Sequence, residues 1–325
     1  MKARTLITII IISIVVFSSC QSSLISAENY PESDRESALP ADIEKKTPET
    51  DAAPPILHVD GYEPPIPLPY PVNTSGGEDS PFILPDGKTL YFFFTPDVRV
   101  PHNQQLLDGV TGIWVTTMVD GSWTKPERVW LQDAEKLALD GAPYVNEDTI
   151  WFASAREGYT GMNIFTAKKD GDKFKDWELV DEAFSGSLMV GELHIFNDEL
   201  YYHSDRAGGK GSFDIWMIRK TNDGWSEPEN ILAVNTNEFD GYPYISPDGS
   251  EMWFTRVYMG TPAVFRSYRV NGIWQEPELI VSQFAGEPTL DEAGNLYFVH
   301  HYYENGVMIE ADIYVAYKKD SEMQD

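Results

Sequence analysis

Acidic side chains stand just ahead of a proline, or of the residue in its place, at five points in the sequence: EDSP (78–81), DGAP (140–143), GELH (191–194), DGYP (240–243) and GEP (286–288). They put Glu78 and Asp79, Asp140, Glu192, Asp240 and Glu287 at related positions. Arginines follow at a step of 50, as Arg156, Arg206 and Arg256, with His203, His300 and His301 near the same level and Tyr242 inside one acidic turn. Interleaved carboxylates and guanidinium groups can make charge-assisted hydrogen bonds to a hydroxyl-rich or charged small ligand. On that reading Glu78, Arg156, His203, Arg206, Asp240, Tyr242, Arg256, Glu287 and His300 are the candidate ligand-binding residues. The same residues have a plainer use. An Asp before Gly commonly accepts backbone N–H bonds in a turn, and the arginines would then brace these acids in neighbouring repeats.

Motifs that carry chemistry on their own are missing: there is no HExxH, GxSxG or EF-hand loop. The adjacent His300 and His301 cannot easily close on one ion from an extended strand, so no metal and no cofactor is expected. SDRAGGKGSFDIW (204–216) has the glycines and the lysine of a phosphate cradle. A phosphate loop, however, leads into a helix whose N-terminus faces the anion, and here a second strand follows. The glycines therefore read as a loop, and Lys210 as a solvated charge.

The elements that must position these residues repeat. An aromatic pair ends one strand in each copy: Tyr91 and Phe92, Trp151 and Phe152, Tyr201 and Tyr202, Trp253 and Phe254, Tyr297 and Phe298. A second strand carries Trp114, Phe165, Trp216, Phe265 and Tyr314, at steps of 51, 51, 49 and 49. A third landmark, in WTKP, FKDW, WSEP and WQEP, marks a further strand in the first four copies. Turn residues at PDG, NDG and NG separate the strands. Five units of strands A to D predict an all-β, five-bladed β-propeller over about residues 56–319. The D-to-A and B-to-C connections then open on one face, so the acids and arginines converge on the mouth of a central channel.

The fifth copy lacks strand D, and VNTSGGEDSP (72–81) matches VNTNEFDGYP (234–243) at an offset of 162. Residues about 57–72 are therefore expected to close the ring by pairing with blade five. Their prolines 64, 65, 67, 69 and 71 suit only an edge strand.

ILPDGKTLYF, ISPDGSEMWF and SDRAGGKGSFDIW resemble the WD-like repeats of TolB-type β-propellers, over nearly the whole repeat region. That resemblance implies the fold and leaves function open. A second one concerns order. Five-bladed glycosidases resembling arabinanases and β-xylosidases carry an acid in each of their first three blades, as base, pKa modulator and general acid. Asp79, Asp140 and Glu192 stand in that order. The resemblance implies inverting hydrolysis with base and acid about 6.5–9.5 Å apart.

The N-terminus opens with Lys2 and Arg4, an apolar run from about Leu6 to Phe17, and FSSC, which resembles a bacterial lipobox. The run is too short to span a bilayer, which takes about 20 apolar residues. The resemblance implies a signal peptide over 1–19 and a lipid on Cys20, which is also the only cysteine. Loss of the signal leaves 22 basic against 52 acidic side chains, a balance of −30. Nucleic acid is thereby a poor partner. Residues 20–55, rich in Ser, Glu, Asp, Pro and Ala, read as a disordered acidic tether, and 320–325 as a short tail. The expectation is a lipid-anchored bacterial envelope propeller, on the outer membrane by a weak preference, binding or scaffolding a carbohydrate or protein partner at the channel face. Glycoside hydrolysis is the alternative.

Overall fold

The computed structural model describes Tyr30 and residues 33–133, 135–180 and 190–319. The signal peptide, Cys20 and the 320–325 tail lie outside the described residues. Five antiparallel blades of a β-propeller succeed one another along the chain, the fifth and first joined into one sheet by a parallel pairing of Ala311 with Gly77. Strand A of each blade is Gly77–Ile83, Ala138–Asn146, Val190–Phe196, Asp240–Ile245 and Ala285–Leu290 in turn. Each packs on strand A of the next blade, and the fifth packs on the first. Strand B is Thr89–Thr95, Thr149–Arg156, Glu199–Ser204, Glu251–Tyr258 and Leu296–Glu304; strand C is Gly112–Val119, Asn163–Asp170, Asp214–Thr221, Thr261–Val270 and Val307–Ala316.

Strand D shows how local sequence sets local structure. In blade two it runs unbroken over Lys173–Leu179. In blades one, three and four it splits into two short pieces at the WTKP, WSEP and WQEP turns, because Pro126, Pro228 and Pro277 bring no N–H to the ladder. The repeated aromatics fill the space between blades. Phe92, Phe152, Tyr202, Phe254 and Phe298 are all at most 1% exposed, and each such side chain contributes about 1.5–3 kcal/mol by leaving water.

The outer strand of blade five comes from the N-terminal side. Ile66–Pro67 pairs with strand C of that blade, Ile66 opposite Val315, and the Leu68 N–H donates to the Ile313 carbonyl. Pro67 is tolerated there because the strand is an outer edge. The VNT motif locks the junction. Asn73 accepts from the Ile313 N–H at 3.0 Å and donates to the Ile313 carbonyl at 2.9 Å, and Asn235 treats Ile215 of blade three in the same way, at 2.8 Å in both directions. The 162-residue match thus marks one device used twice, on blades three and five. Asn73→Ala orphans the buried Ile313 N–H, while the Ile313 carbonyl keeps the Leu68 N–H, and is expected to cost about 1–3 kcal/mol in urea unfolding.

Residues 33–55 depart from the expected disordered tether. They lie against the propeller, with a single helical turn at Arg35–Ala38 and Arg35 4% exposed. Few of their side chains are large and apolar, and what fixes them is polar contact: Arg35 and Lys45 meet acids on the blades, and Asp51 shares a hydrogen bond with His300. Among the described residues no helix is long and apolar enough to cross a membrane.

Candidate functional site at the channel axis

All five inner strands break register at the same place, between Asp79 and Phe82, Gly141 and Tyr144, Val190 and Leu193, Gly241 and Tyr244, and Gly286 and Thr289. Each break is a β-bulge, which re-aims a side chain. At Ser80, Ala142, Tyr242 and Glu287 the bulge residue has φ of 47°, 51°, 54° and 55°. This left-handed backbone costs each of these non-glycine residues roughly 1–2 kcal/mol, so the surrounding sheet must hold it. The proline that follows each of them needs no ladder partner there. The x-Pro pair that aligned the repeats is therefore the signature of the bulge.

The bulge residues Ser80, Ala142, Glu192, Tyr242 and Glu287 line a cavity on the axis. Two positions further on, Phe82, Tyr144, His194, Tyr244 and Thr289 line its floor. The floor is mostly closed by rings: His194 lies 4.8 Å from Tyr144 and 4.5 Å from Tyr244, centroid to centroid. Burial pushes the His194 imidazole down to about 3, so it is neutral. The cavity itself has a volume of ≈ 30 Å³, room for about one water, so a larger ligand has to sit at its mouth.

The acids that aligned in sequence separate into two groups. Asp79, Glu192 and Glu287 converge on the axis. The Ser80 N–H donates to Asp79 at 2.9 Å and to Glu287 at 2.8 Å, so one backbone donor draws two carboxyls together. Glu287 in turn shares hydrogen bonds with both Asp79 and Glu192. Glu78, Asp140 and Asp240 stand one or two residues before this point and face away. All three are fully buried. Glu78 accepts from the Thr74 backbone and hydroxyl at 3.0 and 2.6 Å, and Asp240 accepts from those of Thr236 at 2.6 and 2.7 Å. Asp140 accepts from Ser154 at 2.6 Å and Arg156 at 2.8 Å.

The arginines take the bracing role, within their own blade rather than across to a neighbour. Arg156 pairs with Asp140, and Arg256 with Asp240 at 2.6 Å. The step of 50 hides a difference of register, since Arg256 lies directly opposite Asp240 while Ser154 takes that place opposite Asp140. Arg206 donates to the Tyr202 hydroxyl at 2.8 Å and lies over Trp216 at 5.1 Å. Glu78, Asp140, Asp240, Arg156, Arg206 and Arg256 thus hold the blades and do not line the axial cavity.

The histidines divide as well. His300 is fully buried and meets Asp51 at 2.8 Å. His203 is buried among Phe213, Phe239 and Tyr242, where burial pushes its imidazole down to about 3, and its Nδ1 accepts from the Tyr242 N–H. The histidine that reaches the axis is His301, with Nε2 3.8 Å from Asp79. Thr289, buried on the cavity floor, leaves its Oγ1 without a hydrogen-bond partner. His194, standing in the aligned GELH, and His301, beside His300, are visible in the sequence but are not among its candidate ligand-binding residues, and Thr289 is not singled out there, because only the folded strands decide which face they take.

The three axial carboxyls are held in different charge states. Burial acts to raise Asp79, but the contacts with His301 outweigh it and hold the carboxyl below its ordinary range. Burial pushes Glu192 up to about 8, helped by the charge on Asp79. Glu287 is raised well above the carboxylate range by burial and by both neighbouring acids. At neutral pH the cluster therefore carries an ionised acid beside two protonated ones, a base and donors within one contact network. The donor atoms of Asp79, Glu287 and His301 all lie within 4.8 Å of one another, and two carboxylates with an imidazole are also a fitting set for a divalent cation.

Rings flank the cluster. Phe213, Phe239 and Tyr242 adjoin on one side, at 5.5 and 5.3 Å, and Phe284 stacks on Tyr303 at 4.6 Å on another. All are partly exposed. The SDRAGGKGSFDIW loop supports this rim. Asp214 accepts from the N–H groups of Lys210 and Gly211, and Lys210, exposed as expected, also donates to the Leu232 and Asn235 carbonyls at 2.8 and 3.0 Å. Gly211 is required because a Cβ there would lie 1.7 Å from the Glu238 carbonyl oxygen.

No family model matches the chain, and no curated protein does. Solved structures are similar in fold. A Dyadobacter fermentans protein of unknown function is 12% identical over 80% of this chain and 100% of its own, with a TM-score of 0.46. The catalytic domain of a Coprinopsis cinerea GH62 α-L-arabinofuranosidase is 8% identical over 80% and 96%, at 0.49. A putative TolB from Agrobacterium tumefaciens is 16% identical over 72% and 73%, at 0.40. Likenesses this distant concern the fold and carry nothing about activity.

Proposed function

We propose that the chain is a binding propeller that takes a carbohydrate at the mouth of its axial channel. The observation that carries this reading is the Asp79, Glu192 and Glu287 cluster with partly exposed rings on two sides. A sugar needs donors and acceptors for its hydroxyls and a flat apolar face for its ring. Protonated and ionised carboxyls supply the first, and Tyr242, Phe239 and Tyr303 the second. Calorimetry against soluble glycans is expected to give binding that Glu287→Gln and Tyr242→Ala each weaken at least tenfold. Thr117→Ala, exposed on strand C of blade one, leaves it unchanged. No saccharide binding at millimolar concentration would remove the reading, and binding to an envelope protein instead would redirect it.

One observation favours hydrolysis as a second reading: Asp79 is kept ionised while Glu192 stays protonated to about 8. In that reading Asp79 activates water and Glu192 protonates the leaving oxygen. Asp140 would have no part at the bond, being held by Ser154 and Arg156, and Glu287 would stand in its place as the acid that tunes the pair. Aryl-glycoside turnover that Glu192→Gln abolishes would decide for hydrolysis. The same proposal places the protein in a bacterial envelope through a lipid on Cys20, outer membrane preferred. Cys20→Ser should then release it from the membrane fraction.

A further inference from the structure

Blades two and four each seat their own arginine over aromatic rings and against a buried acid. Arg156 lies 4.3 Å from the Phe165 ring and 4.7 Å from Trp177 while bound to Asp140. Arg256 lies 4.7 Å from Phe265 while bound to Asp240. Blades one and five carry acids and rings but no arginine at the strand B positions of Arg156 and Arg256: Phe94 and Pro96 occupy those positions in the first, His300 and Tyr302 in the fifth.

Residues 33–51 bring in what is missing. Arg35 lies 4.6 Å from the Phe94 ring, 5.2 Å from Phe92 and 5.7 Å from Trp114, 3.3 Å from Glu78, and donates to the Pro71 and Val72 carbonyls. Ten residues on, Lys45 reaches Glu310 and Asp312 of blade five and lies 5.7 Å from the Tyr302 ring. The Lys46 N–H donates to Glu310 at 3.0 Å, and Asp51 closes on His300.

This strap is tied on by side chains. Among the described residues, none of 33–54 shares a backbone-to-backbone hydrogen bond with the blades, whereas Ile56 and Leu57 pair in a sheet. Between its anchors the strap spans a groove lined by Leu39, Ile43, Leu68, Tyr70 and Asp312. Asp312 is 1% exposed, and its Oδ1 has no hydrogen-bond partner. The site therefore holds an acceptor that its resident segment leaves unused.

We propose that the junction of blades five and one is a docking site for an extended peptide that carries an arginine for the Glu78 box and a lysine about ten residues on for Glu310 and Asp312. The chain's own strap is its resident occupant. A partner segment of the same chemistry exchanges with it and frees His300 from Asp51, one residue from the axial His301.

The test uses the full chain carrying Arg35→Ala and Lys45→Ala, with a fluorescent peptide of residues 33–51 added in trans. The peptide is expected to bind this variant at least tenfold more tightly than it binds the wild-type chain, whose site is filled, and at least tenfold more tightly than a peptide with Arg35 and Lys45 changed to Ala. Circular dichroism establishes that the variant is folded. If it is not, Lys45→Ala alone serves, with the same comparison. Equal binding of the two peptides, or none to a folded variant, overturns the proposal. Glycan binding plays no part in this readout, so its outcome is independent of the function proposed for the axis.

Discussion

Arg156→Ala is expected to lower the free energy of unfolding by about 3–5 kcal/mol in urea titration, the largest loss of any single truncation considered. Asp140 is fully buried and the Arg156 side chain 3% exposed, so removing the guanidinium leaves a carboxylate with Ser154 as its remaining bonded side chain and no water to replace the lost charge. The same change empties the space over Phe152, Phe165 and Trp177. The pair need not be stabilising for this to hold, because the penalty comes from the acid left behind. A double variant, Asp140→Asn with Arg156→Met, should therefore recover much of the loss. If the double variant is as unstable as Arg156→Ala alone, packing rather than charge governs the position. Sugar affinity should follow stability here and show no separate effect, since neither side chain lines the axial cavity.

The blade repeat was legible because packing between blades demands a large ring at one strand position every time, and Phe92, Phe152, Tyr202, Phe254 and Phe298 announce it. The outer strand of blade five was legible for a similar reason: VNT is a device with one geometry, and Asn73 repeats what Asn235 does. The site was only half legible. Asp79 and Asp140 beside their prolines and Glu192 in GELH look equivalent, yet strand alternation sends residues one apart to opposite faces, and a bulge adds one more reversal. The left-handed φ at Ser80 and Glu287 decides which acid meets which, and neither residue type advertises it. The strap was illegible for another reason. Composition reports that 33–55 lacks apolar bulk, which is true, but an arginine at 35 gives no sign in sequence that an acid at 78 awaits it across the fold.

Raising the pH from 5 to 9 is expected to destabilise the wild-type chain, and Glu192→Gln should remove a large part of that slope. The sign follows from linkage. The Glu192 carboxyl rises from an ordinary 4.5 in the unfolded chain to about 8 in the fold, so the folded state binds the proton more tightly. Its contribution to stability is complete below pH 4.5 and is lost as the pH climbs through about 8. A shift of this size converts to about 5 kcal/mol, and the half-open position at the channel mouth reduces the expected effect to about 3 kcal/mol. Glutamine imitates the protonated acid, so Glu192→Gln and wild type should match below about pH 4.5, draw apart steadily between pH 4.5 and 8, and stay a constant distance apart above that, with the variant the more stable. A residual slope should persist in the variant, because Asp312 is also pushed by burial up to about 8. Urea titrations at four pH values decide the matter: parallel curves for the two proteins would mean that Glu192 is ionised in the fold at neutral pH. It would then offer a sugar only acceptors, and the hydrolytic reading would lose its proton donor by the same measurement.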